Sequence, residues 1–168
     1  MRALWIGLTL LAAAHASAYD RFVSPNGEFE AYTTANFPHG GGMKLFLRRA
    51  NARDIGVLLA QNGRWIDAKW SPNSHFLAVV DHPDGHIADV YVFGVTAANA
   101  AASPNVTLFY HTPNPLTYDV RWDVAGWHTE KREVILKQEV RDQNSRTHGR
   151  HTVIAQIGAK PLKFELPK

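Results

Sequence analysis

The sequence predicts an all-β fold made of about three four-stranded antiparallel units. Two observations support this prediction. Short segments rich in β-branched and aromatic residues alternate with turn-forming segments along the 168 residues. Two motifs, Ser-Pro-Asn and Asp-x-(Lys/Arg)-Trp, also recur in phase with those segments. We therefore expect one architectural unit to be copied along the chain.

Residues 64–93 are the best-preserved copy of this unit. Residues 64–70 alternate and end on Trp70, Ser71-Pro72-Asn73-Ser74 is a turn, and residues 76–80 are an apolar strand. A loop rich in Asp, Pro and Gly follows, and residues 89–93 form a third strand.

The other predicted strands follow the same order. In the first unit they are residues 28–33, 43–48 and 55–60, and residues 19–23 are a short aromatic stretch in place of a full inner strand. Residues 106–110 complete the second unit, and the third has residues 117–122, 130–142, 151–157 and 162–166. Residues 130–142 have a composition that also suits a helix, but Val134, Leu136 and Val140 follow the period of a strand. The repeat favours a strand there.

Four strands per unit, at a period in the forties to low fifties, are typical of a β-propeller blade. The units cover about residues 19–60, 64–110 and 117–166. An antiparallel sandwich is the alternative, because its turns are similarly spaced. A sandwich does not require the two motifs to recur in phase, so the pattern favours propeller-like blades.

The resemblance to one family is carried by the second unit. Residues 70–79 (WSPNSHFLAV) and 89–93 (DVYVF) resemble the WD-like repeat of TolB-type β-propellers. Residues 24–27 (SPNG) are a weaker match, and the third unit keeps only Trp122, followed by DVAG at residues 123–126. The resemblance implies a protein-interaction module of the periplasm or a gating domain of a peptidase.

Closed propellers have four or more blades, whereas this chain supplies about three. The prediction is therefore an open arc or partial propeller. The alternative is a homodimer in which two chains close into a six-bladed ring.

Residues 1–18 have the features of a secretory signal peptide. Arg2 precedes an apolar run at residues 3–14, and Ala16-Ser17-Ala18 is a small-x-small cleavage site. The run is too short to cross about 30 Å of hydrocarbon. We predict a single mature domain at residues 19–168, periplasmic or secreted, with no transmembrane segment after cleavage.

Composition excludes several classes of function. The chain has no cysteine, which excludes a disulfide framework, thiol catalysis and Cys-based zinc sites. The net charge of +3 is dispersed, which argues against nucleic-acid binding. The sequence contains no Gly-x-Ser-x-Gly, His-Glu-x-x-His or Walker motif. We expect a non-enzymatic binding or scaffold module, with a metal- or carbohydrate-dependent enzyme as the alternative.

The loops between second and third strands, at residues 34–42, 81–88 and 142–149, are expected on one face of the arc. Each contains His. The best candidate for a divalent metal, the one cofactor considered, is His82 with Asp84 and His86, because Pro83 and Gly85 could make their side chains converge. Asp84-Gly85 is equally a good hairpin turn.

Four further residues are candidates for binding a protein or cell-envelope partner. Three are loop histidines, and the fourth is a tryptophan outside the repeated phase, a residue type enriched at binding hot spots. These candidates are His39, His111, Trp127 and His148. By contrast, the phased Trp70 and Trp122 are expected to pack between units.

Overall fold

The structure is a computed structural model of the chain. It describes residues 20–36, 41–83, 87–97, 103–112, 119–141, 146–158 and 160. The described residues form three antiparallel β-sheets of four, four and three strands, so the all-β prediction is confirmed. No helix in these ranges is long and apolar enough to cross a membrane.

Each sheet is built from strands that pair with their neighbours in sequence. The first sheet contains β1 (Arg21–Val23), β2 (Phe29–Asn36), β3 (Gly41–Arg49) and β4 (Val57–Gly63). The second sheet contains β5 (Trp65–Trp70), β6 (Phe76–His82), β7 (Asp89–Thr96) and β8 (Asn105–His111). The third sheet contains β9 (Asp119–His128), β10 (Glu133–Arg141) and β11 (Thr147–Gln156).

The segment at residues 130–142 is mainly strand, as predicted, and it begins later than expected. A 3₁₀ turn at Thr129–Lys131 precedes β10. Within β10, Val134 and Leu136 are fully buried, whereas Lys137 is exposed. This alternation is typical of a strand with one covered face, because successive side chains point to opposite sides of a sheet.

The strands extend further into the predicted loops than the sequence indicated. Residues 147–149, predicted as loop, belong to β11 because Thr147 pairs with Arg141 and Gly149 with Val140. The predicted signal peptide at residues 1–18 and the predicted strand at residues 162–166 lie outside the described residues.

The second sheet lies between the other two, and β6 is buried along its whole length. Its Leu77 and Val79 belong to a hydrophobic core shared with the first sheet. Its Ala78 and Val80 belong to a second core shared with the third sheet. Because alternate residues of a strand face opposite ways, this one strand contributes to both cores.

The two Ser-Pro-Asn turns have the same hydrogen bonds. In the second turn, the Ser71 hydroxyl accepts the Phe76 N–H (2.9 Å) and donates to Asn73 Oδ1 (2.8 Å). The first turn repeats both bonds between Ser24, Phe29 and Asn26. The fourth position of each turn has positive φ, at 71° in Gly27 and 62° in Ser74.

The phased tryptophans lie in the cores. Trp70 is buried against the first sheet, where its indole N–H donates to the Phe22 carbonyl (2.8 Å) and its ring stacks with Phe29. Trp122 is buried in the second core. Both therefore pack between sheets, as predicted.

Ser71→Ala is expected to lower the free energy of unfolding by about 1–3 kcal/mol, because it leaves the Phe76 N–H buried without an acceptor. The measurement is urea unfolding followed by circular dichroism. Ser103→Ala is the matched control, because Ser103 is exposed and outside both turns. Equal stability of the two variants would contradict the role given to the turn.

Candidate functional site

Polar side chains are clustered at two places in the structure. The first is the end of the second sheet from which the predicted metal-binding loop leaves. The second is the outer face of the third sheet, meaning the face turned away from the second sheet.

At the first place, Asp81 and His82 end β6 and point to opposite faces of the sheet, because they are adjacent in the strand. Asp81 lies opposite Asp89 in the register and on the side of the first sheet. His82 lies on the side of the third sheet. Asp84 and His86 are outside the described residues.

Asp81 is a buried carboxyl group in an unfavourable environment. Its side chain packs over Gly63, where a Cβ atom would overlap the carboxyl group. No hydrogen bond to its Oδ1 is found among the described residues. Burial, reinforced by the charge of Asp89, raises the pKa of Asp81 to about 6.

His82 is held in a neutral form by its packing. Its ring stacks on Trp65, with centroids 4.1 Å apart, and its Nε2 lies 4.0 Å from Asp67 Oδ2. Burial, with a further effect of the Arg121 charge, lowers the pKa of His82 to about 4. A neutral imidazole is the form that binds metals.

A metal centre is not formed by the part of the chain that the structure describes, where no three His, Asp or Glu side chains are grouped to hold an ion. Asp81, the carboxylate next to His82, points to the other face of the sheet. The predicted site of His82, Asp84 and His86 stays a prediction, because two of its members lie outside the described ranges.

Two of the four predicted partner-binding residues, His111 and Trp127, stack on aromatic neighbours. His111 stacks on Tyr91, with centroids 4.3 Å apart, and burial lowers its pKa. Trp127 is partly buried and stacks with Phe76 in the second core. His148 lies in β11, and His39 is outside the described residues.

The outer face of the third sheet has a hollow of about 450 Å³. Its described lining residues belong to the strands of this sheet. Six lining residues have the strand parity opposite to buried Leu136, so their side chains point outward. They form two cross-strand rows: Arg121, Glu139 and Arg150, then Asp123, Lys137 and Thr152. We call this hollow, with its two rows, the groove.

Glu139 is the central acidic residue of the groove, and its charge is already compensated. It accepts hydrogen bonds from Arg141 Nε (2.6 Å) and Thr147 Oγ1 (3.2 Å), and Arg150 Nε lies 3.3 Å from its Oε2. The hydrogen bond from Arg141 is the main cause that holds the pKa of Glu139 below its ordinary value. The guanidinium groups of Arg141 and Arg150 therefore balance the charge of this carboxylate.

An apolar row lies next to the groove. The next outward row pairs Ile135 with Ile154, and Ile154 is 54% exposed. Gly126 faces Ile135 from β9, and a Cβ at Gly126 would meet only the Ile135 Cδ1 at 3.8 Å. The row therefore leaves open apolar surface beside the charged rows.

The outer face of the first sheet is different, because its charged side chains are paired with one another. Glu30 is fully buried between Arg21 and Arg48. Burial acts to raise its pKa, but the hydrogen bonds from the two arginines outweigh it, so the pKa lies below its ordinary value. Arg48 also covers the Tyr32 ring at 4.4 Å.

Comparison with known proteins adds no relative. No protein-family model matches the chain, and no curated protein or solved structure is significantly similar to it. The TolB-type resemblance therefore rests on the residues of the repeat.

Sequence reasoning did not identify the groove. The alternation of Glu133, Lys137 and Glu139 with apolar residues is visible in the sequence, where it predicts only that this segment is a strand. The signal that could have found the groove is the register of three strands, which places Arg121 and Arg150 on either side of Glu139. Local periodicity does not contain that register.

Asp81→Asn is expected to stabilise the protein at pH 7.5 by up to about 3 kcal/mol relative to wild type. The folded protein keeps the Asp81 proton up to about pH 6, whereas an unperturbed aspartate releases it near 3.8. The contribution of Asp81 is therefore full below pH 3.8 and is lost as the pH rises to 6.

Urea unfolding of both proteins at pH 7.5 and pH 4.5 tests this, because other titrations cancel in the difference. The advantage of Asp81→Asn should shrink at pH 4.5. Asp54→Asn is the control, since Asp54 is exposed and should change stability little at either pH. A pH-independent effect of Asp81→Asn would refute the assignment.

Proposed function

We propose that this chain is a non-enzymatic binding module whose partner, a protein or another component of the bacterial cell envelope, docks in the groove. The observation that supports this proposal is the groove itself. It is a hollow of about 450 Å³ lined mainly by polar and charged side chains of both signs, and the exposed Ile154 lies in the neighbouring row. Charged side chains on a surface give specificity for a partner of complementary charge.

In this proposal the three sheets are propeller-like blades in an open arc. The identical hydrogen bonds of the two Ser-Pro-Asn turns support repeated units. The charged outer faces support an open arc rather than a six-bladed homodimer. Closing a ring through those faces would desolvate the networks around Glu30 and Glu139, and burying ion pairs is costly.

We further propose that the module acts in the periplasm or is secreted. The signal-peptide features of residues 1–18 support export. A fold that needs no disulfide suits either compartment.

A metal-dependent enzyme is the second candidate, and one observation favours it. Asp81 and His82, at the start of the predicted metal-binding loop, both have strongly shifted pKa values. Such shifts cluster at functional sites, although buried structural groups produce them too.

Adding zinc or calcium is expected to leave the melting temperature unchanged, because no three His, Asp or Glu side chains of the described residues are grouped to hold an ion. Thermal unfolding with and without each metal ion measures this, and metal analysis of the purified protein accompanies it. A rise in melting temperature that disappears in His82→Gln would favour the metal-dependent enzyme instead.

A photo-crosslinking residue at Thr152, in the groove, is expected to give a discrete adduct in a bacterial envelope extract. The same residue placed at exposed Thr96, on the second sheet, should not. Gel analysis measures the adduct, and Ile154→Asp should abolish it because it places a charge on the apolar row. Equal labelling from both positions, or none from Thr152, would argue against docking in the groove.

A further inference from the structure

A second binding site can be inferred on β5, away from the groove. β5 lies at an edge of the second sheet. Its Ile66 points into the core shared with the first sheet, so Trp65, Asp67 and Lys69 point to the opposite face. All three are exposed, whereas β6, including His82, is buried along its length. The third sheet therefore covers β6 and leaves this face of β5 open. We call Trp65 and Asp67 the β5 site.

Trp65 offers an aromatic surface to a ligand. Its cross-strand neighbour is His82, whose ring stacks on one face of the indole with an interplanar angle of 23°. Trp65 is nevertheless 39% exposed, so its open surface lies mainly on the opposite ring face and the ring edge. The face of an aromatic ring attracts cations, and tryptophan does so most strongly.

Asp67 places a carboxylate beside this ring, on the same face of β5. Its side chain is 66% exposed, and its Oδ2 lies 4.0 Å from His82 Nε2, the only ion-pair contact of Asp67 among the described residues. Burial lowers the pKa of His82 to about 4, so at pH 7 the imidazole is neutral and does not compensate the carboxylate. Partial burial raises the pKa of Asp67, and the charges of Asp123 and Asp20 raise it further. The charges that act on this carboxyl group are therefore negative.

The nearest cationic side chains are engaged elsewhere. The Lys69 ammonium group donates to the carbonyl oxygens of Val124 (3.4 Å) and Ala125 (3.2 Å), which ties β5 to β9. Arg121, on β9, has a partner of its own. The carboxylate of Asp67 is therefore available to a cation supplied by a ligand.

We propose that Trp65 and Asp67 bind the guanidinium group of an arginine side chain in a partner protein. The planar group stacks on the open face of the Trp65 ring, and one of its N–H groups donates to the Asp67 carboxylate. A guanidinium suits this pair better than an ammonium group, because it stacks on aromatic rings and keeps its donors at its edge. The β5 site shares no residue with the groove, so the inference does not depend on docking there.

The probe is the peptide acetyl-Gly-Arg-Gly-amide, titrated into the isotope-labelled full chain and followed by the indole N–H resonance of Trp65. That resonance is identified by its loss in Trp65→Phe. A saturable shift is expected at millimolar peptide, because exposed cation–π contacts and ion pairs are weak. The citrulline peptide, which has the same shape without the charge, should bind about threefold more weakly or worse.

Two results with these peptides would overturn the proposal. Equal affinity for the arginine and citrulline peptides would refute recognition of the charge. Equal affinity for the arginine peptide and acetyl-Gly-Lys-Gly-amide would refute the assignment to a guanidinium group.

Asp67→Asn is expected to weaken binding of the arginine peptide by about twofold to fivefold, because it removes the acceptor charge. An otherwise unchanged spectrum of this variant separates a lost contact from a loss of folding. Asp54→Asn is the matched control, because Asp54 is exposed and lies between β3 and β4. Equal effects of the two substitutions would argue against the role of Asp67.

Trp65→Leu removes the aromatic surface and is expected to reduce binding of the arginine peptide to the level of the citrulline peptide. Saturation transfer to the peptide measures this, because the Trp65 resonance is lost in the variant. Trp65→Phe should bind more tightly than Trp65→Leu, since it keeps an aromatic ring. Unchanged binding by Trp65→Leu would contradict stacking on this residue.

Discussion

β6 (Phe76–His82) is buried on both faces, and the arrangement of the three sheets depends on this burial. Its alternate side chains enter the two hydrophobic cores, one with the first sheet and one with the third. Each fully buried aliphatic side chain contributes about 1.5–3 kcal/mol relative to exposure. The same burial is unfavourable at the end of the strand, because it places Asp81 and His82 in environments that disfavour their charged forms.

The outer faces of the first and third sheets carry similar charged networks. In each, a carboxylate on a central strand is paired with two arginines. Glu30 pairs with Arg21 and Arg48 of the two neighbouring strands, whereas Glu139 pairs with Arg141 of its own strand and Arg150 of the next. The two networks differ in exposure to solvent, because Glu30 is fully buried whereas Glu139 borders an open hollow. This difference makes the third sheet the better candidate for a binding surface.

The polar residues at the loop end of the second sheet and those of the groove affect the stability of the fold differently. Asp81 and His82 are buried and have shifted pKa values. Such shifts occur in buried structural groups as well as at functional sites. The groove side chains are exposed without disturbing the packing of the core, because Val134 and Leu136 on the opposite face of β10 anchor that strand. Function that depends on exposed side chains of a well-anchored strand is compatible with a stable fold.

The sequence by itself determined the all-β class, most strand positions, the two Ser-Pro-Asn turns and the packing role of Trp70 and Trp122. These features follow from local periodicity and from short-range side-chain to backbone bonds, such as that of Ser71. Only the tertiary structure decided that Asp81 and His82 face different cores. It also decided that Arg121, Glu139 and Arg150 form one row. Such neighbours are set by register between strands distant in sequence, and burial, which shifts the pKa values, exists only after the sheets pack.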